Sequence, residues 1–154
     1  MNGRTIALTL ALCSVGVAAG FAADASLGTW KLNAAKSKIA PGAPKYDTVV
    51  YEAAGDNVKV TVEGTDGAGK PARNEWTGKF DGKYYPVAGD PSADERSYTR
   101  VDDRTLTFTG RLAGKETLTG RVAVSADGKS RTVTATGTNS TGTKITSMTV
   151  YDKQ

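Results

Sequence analysis

The chain of 154 residues has no histidine and a single cysteine, Cys13. Without imidazole it lacks the commonest metal ligand and the usual general base near neutral pH, which removes most metalloenzyme and Ser-His chemistry. One cysteine cannot close an internal disulfide, so packing and ladder hydrogen bonds must hold the fold together. Charge of one sign is not concentrated anywhere. Twenty basic and sixteen acidic residues leave a formal +4, and the two signs alternate along the chain, as on a solvated surface. Aromatic residues make up only 7% of the chain, so the outward basic positions Lys79, Arg111, Arg121 and Lys144, interrupted by Glu75 and Glu116, have few stacking partners. No nucleic-acid partner is expected. A long hydrophobic run is also missing: the one that starts at Thr5 is broken by serine and glycine and falls short of the about 20 apolar residues of a spanning helix.

What that run does fit is an export signal. Arg4 precedes it, and Gly20 and Ala22 follow as the −3 and −1 positions of a signal-peptidase site. The expected division is a helical signal peptide at residues 1–22 and a single domain at 23–154, with no membrane span left after cleavage. Cleavage after Ala25 is the second choice. Leu12, ahead of Cys13, does not suit a lipoprotein signal. The protein is therefore expected in the periplasm or outside the cell, lacking its first 22 residues. An intact mass that still includes Cys13 would contradict this.

Beyond the leader, strand signals recur every 8 to 12 residues or so, the rhythm of an all-β barrel or sandwich. "LGTWKLN" comes first, and then "AAKSKIAPGAPK", where Pro41, Gly42 and Pro44 forbid a long helix. "YDTVVYEAA" and "NVKVTVEGT" follow, then "RNEWTGKF", "YYPVA", "RSYTRV", "RTLTFTGRL", "ETLTGRVAV", "SRTVTATGT" and "KITSMTVYDK". These are about ten strands, nearly all joined by short Gly/Asp/Asn turns, and short links make neighbours antiparallel. The predicted fold is an all-β, up-and-down meander. Closing it into a barrel removes both edges, which a chain with no covering helices needs.

The pattern inside the strands is strict. Val58, Val60 and Val62 alternate with Lys59, Thr61 and Glu63; Leu106, Phe108 and Gly110 alternate with Thr105, Thr107 and Thr109. Period-two alternation puts an apolar row on one face and threonine, which favours extended backbone, on the wet one. Gly78, Gly110, Gly120 and Gly137 fall on the apolar rows. An interior strand glycine marks a bend at a barrel corner or a close approach of another backbone or a ligand.

"GTWKL", Gly28 to Leu32, resembles the first-strand motif of the calycins, the lipocalins and fatty-acid-binding proteins, where a tryptophan closes one end of a barrel that carries small apolar ligands. "TVYDK", Thr149 to Lys153, is similar to the last strand of the fatty-acid-binding branch. The resemblance implies a calycin-like barrel of about ten strands with Trp30 as its structural closure. It does not extend to that branch's two helices, nor to its carboxylate-binding arginine, where Thr149 stands. The chain is more similar to small exported bacterial lipocalin-like domains.

Two functions compete. One is a non-enzymatic barrel that takes a small hydrophobic ligand between its strands, with Trp76, Gly78, Phe108 and Gly110 as the ligand wall. The other is a filled barrel that meets cell-wall polymer or another protein through its outer face. No catalytic set, metal site or cofactor is expected, and the chain is expected to be a monomer. "GDPSADE" lacks the alternating oxygen ligands of a calcium loop. No nucleophile elbow accompanies the many hydroxyls. In "ERSYTR", Arg96, Tyr98 and Arg100 share one face. Pointed inward, they suit a carboxylate or phosphate. Because Val101 lies on the opposite face, they are expected to point outward.

Overall fold

A computed structural model describes residues 24–139 and 141–154. The expected leader, its helix and the cleavage after Ala22 lie outside the described residues. Ten strands follow one another: β1 (Gly28–Leu32), β2 (Lys45–Ala54), β3 (Asn57–Thr65), β4 (Pro71–Gly78), β5 (Asp81–Ala88), β6 (Glu95–Asp102), β7 (Thr105–Leu112), β8 (Lys115–Val124), β9 (Ser130–Thr138) and β10 (Lys144–Lys153). Each is antiparallel to the next, and β1 pairs with β10 as well as β2, so the meander closes into a barrel. The closing seam aligns Trp30 with Lys153 and Leu32 with Tyr151. The slightest seam is β4–β5, with Glu75 opposite Ala88 and Trp76 opposite Val87.

Local chemistry explains the connections. In the β7–β8 hairpin, Ala113 and Gly114 both have positive φ, +50° and +79°, the double left-handed turn whose twist matches paired strands. Alanine is an uncommon occupant there, and the Asp94 carboxylate accepts a hydrogen bond from its N–H at 3.0 Å. The Pro/Gly segment between β1 and β2 forms only a short 3-10 turn, Ala34–Lys36, capped by the Asn33 side chain. Beyond it Lys38 bridges to Met148, and Ala40 N–H donates to Ser147 Oγ at 2.9 Å, tying the segment along β10.

The core runs along the inward rows: Val49, Tyr51, Val60, Val62, Trp76, Val87, Tyr98, Leu106, Val122, Val124 and Tyr151 are all buried. Around Trp76 the core is aromatic. Its indole stacks on Phe80 (centroids 6.3 Å apart, planes within 8°) and meets the edges of Tyr85 and Tyr98 at 5.7 and 4.7 Å. The expected outward position of Arg96 and Tyr98 is overturned: both are buried inside the barrel. The alternation holds along β6: Arg96 and Tyr98 face in, and Val101, five positions on from Arg96, faces out at 53% exposure. Val101 does lie on the face opposite Arg96, but that face is the outer one, where a single apolar residue stands exposed.

Candidate functional site

The two ends of the barrel differ. At the base, the residues just before β1 fold under the strands. Trp30 is fully buried and donates its indole N–H to the Ser26 carbonyl at 2.9 Å, while the Asp24 carboxylate pairs with Arg100. Arg131, on β9, lies over three rings: Trp30 and Tyr51 at 4.8 Å each and Tyr151 at 5.1 Å from the centroids. Its guanidinium is 2% exposed, and Nε and one terminal nitrogen have no acceptor among the described residues, so ring faces supply much of its electrostatic solvation. Burial raises the Tyr51 and Tyr151 hydroxyls above the usual phenol range, so both stay neutral beside this cation.

Toward the other end, the strand register builds inward rows across several strands. One runs Tyr85, Arg96, Gly110, Leu118, Gly137 and Ile145; the next runs Tyr98, Phe108, Gly120, Ala135 and Ser147. The rows are unequal along their length. On β2 to β6 the inward side chains Val62, Asn74, Trp76, Arg96 and Tyr98 are buried. On β7 to β10 the same rows include Gly110, Gly120, Ala135, Gly137 and Ser147, and Phe108, Leu118 and Ile145 among them are only half-buried. The interior is packed solid on one wall and looser on the other.

The four residues expected to form a ligand wall divide between these halves. Trp76 and Gly78 lie on the solid wall. Trp76 donates its indole N–H to the Arg96 carbonyl at 2.9 Å, and a Cβ added at Gly78 would come within 2.6 Å of the Tyr85 ring and 2.7 Å of Trp76. Phe108 and Gly110 lie where the loose half begins. A Cβ at Gly110 would stand 3.2 Å from Ala93 Cβ and 3.3 Å from Leu118 Cβ. Gly120, beside them, is covered by Phe108 itself: an added Cβ would overlap the ring and stand 2.7 Å from the Thr134 carbonyl oxygen. Gly120→Ala should therefore lose about 1–3 kcal/mol, since the backbone on one side cannot yield. Chemical denaturation of the purified variant measures this.

The alternation did not point to the polar cluster at the mouth. Arg96 donates to Asp90 Oδ2 at 2.6 Å, with both side chains almost fully buried, and makes a long contact of 3.5 Å to Asn74 Oδ1. Arg96 Nε has no acceptor among the described residues. The other Asp90 oxygen, Oδ1, is taken by Ser92 N–H and Oγ at 2.9 and 2.6 Å. Tyr46 is close enough to respond to both charges: burial first, then Asp90, pushes its hydroxyl up to about 12, with Arg96 pulling the other way. For Arg96, burial works against the charge, but Tyr98, Asp90 and Tyr46 outweigh it and the guanidinium stays protonated. Asp90 belongs to a flap between β5 and β6. Ala93, in the same flap, is buried against Gly110, and the Ser92 carbonyl accepts from Thr117 Oγ1 at 2.7 Å.

Among the described residues no group of three or more acidic, cysteine or histidine side chains converges on a metal position. No helix there is long and apolar enough to cross a membrane.

No protein-family model matches the chain, and no curated protein matches it. Among solved structures, one described as "Structure of EF1p2_mFAP2b bound to DFHBI" superposes with a TM-score of 0.52 at 10% identity, covering 86% of this chain and 97% of that one. The likeness is one of fold. Both chains share a barrel architecture across most of their lengths.

Proposed function

We propose that this chain is a non-enzymatic, exported barrel of calycin type that carries a small, largely apolar molecule in the looser half of its interior. The observation that carries the reading is the contrast between the two walls. In the rows away from the base, β7 to β10 contribute Gly110, Gly120, Gly137, Ala135 and Ser147, and Phe108, Leu118 and Ile145 beside them are half-buried, as a site for an apolar guest requires. A barrel of about ten strands lies in the size range that encloses a ligand. The neighbour of similar fold, by its description, is bound to DFHBI. The motif around Trp30 supports calycin kinship, and the leader supports export to the periplasm or beyond.

Titration with the neutral fluorescent probe 1-aminoanthracene tests this. Saturable enhancement is expected in the parent. It should be lost in Gly137→Leu, where a Cβ meets only Leu118 and the Thr117 carbonyl, both at 3.4 Å, so the added bulk can project into the looser half. The melting temperature of that variant should stay within a few degrees of the parent. No binding at high micromolar concentration would reject the carrier. One observation favours the other reading, a filled barrel acting through its outer face: the spaces over Gly78 and Gly120 are taken by the protein's own rings. In that case cell-wall polymer or a protein partner becomes the target to assay.

A further inference from the structure

We infer that the molecule carried is flat and compact, two or three fused rings with a hydrogen-bond acceptor on one edge, and not an extended alkyl chain. This rests on the carrier reading above and adds the shape of the guest and the chemistry of its polar edge. The floor of the looser half is level. On β9, Ala135 and Gly137 face the interior with a methyl group and a bare Cα, and a Cβ added at Gly137 would meet nothing nearer than 3.4 Å. Beside them the Phe108 ring lies across Gly120, its partner on β8, where an added Cβ would overlap it. A ring laid over a strand glycine packs one face on bare backbone. Phe108 is only half-buried, so its other face is open to a guest that rests on the level floor and stacks against it.

The space is wide but shallow. Residues on one face of a strand stand about 7 Å apart along it, and neighbouring strands about 4.8 Å apart. Below Phe108 and Ala135, the next row holds Leu106 and Val122, both almost fully buried. Above, Ala93 of the flap is buried against Gly110. A patch two rows deep across β8 to β10 suits fused rings, which lose no internal rotations on binding. An alkyl chain of equal carbon number would have to coil there and give up many rotors. One polar group on the patch has a hydrogen to spare. Ser147 pairs with Ala135, and its Oγ accepts from the Ala40 N–H at 2.9 Å. Its own hydrogen has no acceptor among the described residues, which leaves it to donate to a carbonyl or ring nitrogen on the edge of the guest. Thr149, one row lower, instead donates to the Val133 carbonyl.

The experiment is competition against bound 1-aminoanthracene, on protein expressed from the full chain. The competitors are fluorenone, dihexyl ketone, which has the same carbon number and the same carbonyl, and fluorene, which keeps the rings without the acceptor. Fluorenone should displace the probe at a concentration at least about tenfold below dihexyl ketone, although the chain ketone is the more hydrophobic. Phe108→Leu should narrow that gap several-fold by weakening fluorenone alone. Ser147→Ala should weaken fluorenone about fivefold and leave fluorene unchanged. If Phe108→Leu does not fold, the parent comparison and Ser147→Ala still decide. Displacement by dihexyl ketone at or below the fluorenone concentration in the parent overturns the inference while the carrier reading stands. So does a Ser147→Ala variant that binds fluorenone as tightly as the parent. Failure of the probe itself to bind removes the carrier reading and this inference with it.

Discussion

Trp30→Ala is expected to destabilise the protein by about 3–5 kcal/mol, the usual loss when a fully buried indole is truncated. Three effects add at this position. The ring fills the base of the barrel with no exposure to solvent, its N–H holds the Ser26 carbonyl, and its face is one of three on which Arg131 rests. Removing it leaves a cavity and takes a ring face from a buried cation whose Nε has no acceptor among the described residues. Trp30→Phe keeps a smaller ring and should recover a good part of the loss. Urea unfolding followed by Trp76 emission measures both variants, since Trp76 is then the sole tryptophan. A Trp30→Ala variant that melts within a degree or two of the parent would remove the closure role and much of the calycin likeness.

Arg96→Met is expected to be nearly as damaging, again about 3–5 kcal/mol, but for an electrostatic reason. Methionine fills much of the same volume, so the loss comes chiefly from Asp90, whose carboxylate is 3% exposed and would be buried without its partner. Adding Asp90→Asn to Arg96→Met should restore part of the stability, because the stranded charge is then gone. That non-additivity, read from four urea midpoints, separates a charge effect from a packing effect. If the single variant loses less than about 1 kcal/mol, Asp90 escapes to water at little cost, and the flap lifts more easily than its hydrogen bonds suggest.

Much of the architecture could be read along the chain. Asn57–Thr65, Ser130–Thr138 and Lys144–Lys153 run as strands over the spans their alternation marks. In each, an unbroken two-residue period ends at a turn sequence, so local chemistry suffices. Arg96 and Tyr98 read as outward because the opposite row carries the apolar Val101, yet Val101 stands exposed on the outer face and the two polar side chains are buried within. Ala93 lay beyond reach for another reason. It is a loop residue buried against Gly110, seventeen positions away, and no periodicity encodes the path of a flap. Asp90 was visible as an acidic loop residue, but its partner, six positions on, was not, since their pairing depends on the path of the flap back over β6.

The sequence by itself determined the ten antiparallel strands, the apolar and threonine faces, and the dependence on packing in a domain without disulfides. Hydrophobic alternation, turn chemistry and composition act over a few residues, and so can be read from a few residues. Only the tertiary structure decided that β1 meets β10, that Arg131 rests on three rings at the base, and that Arg96 turns inward to an aspartate of the flap. Only closure, likewise, made one wall solid and the other loose. The seam, the base and the contrast between walls depend on which distant rows a closed barrel brings face to face, and the Arg96–Asp90 pair on the path of the flap. A strand's two-residue period chooses a side for each residue, but not its neighbour across the interior.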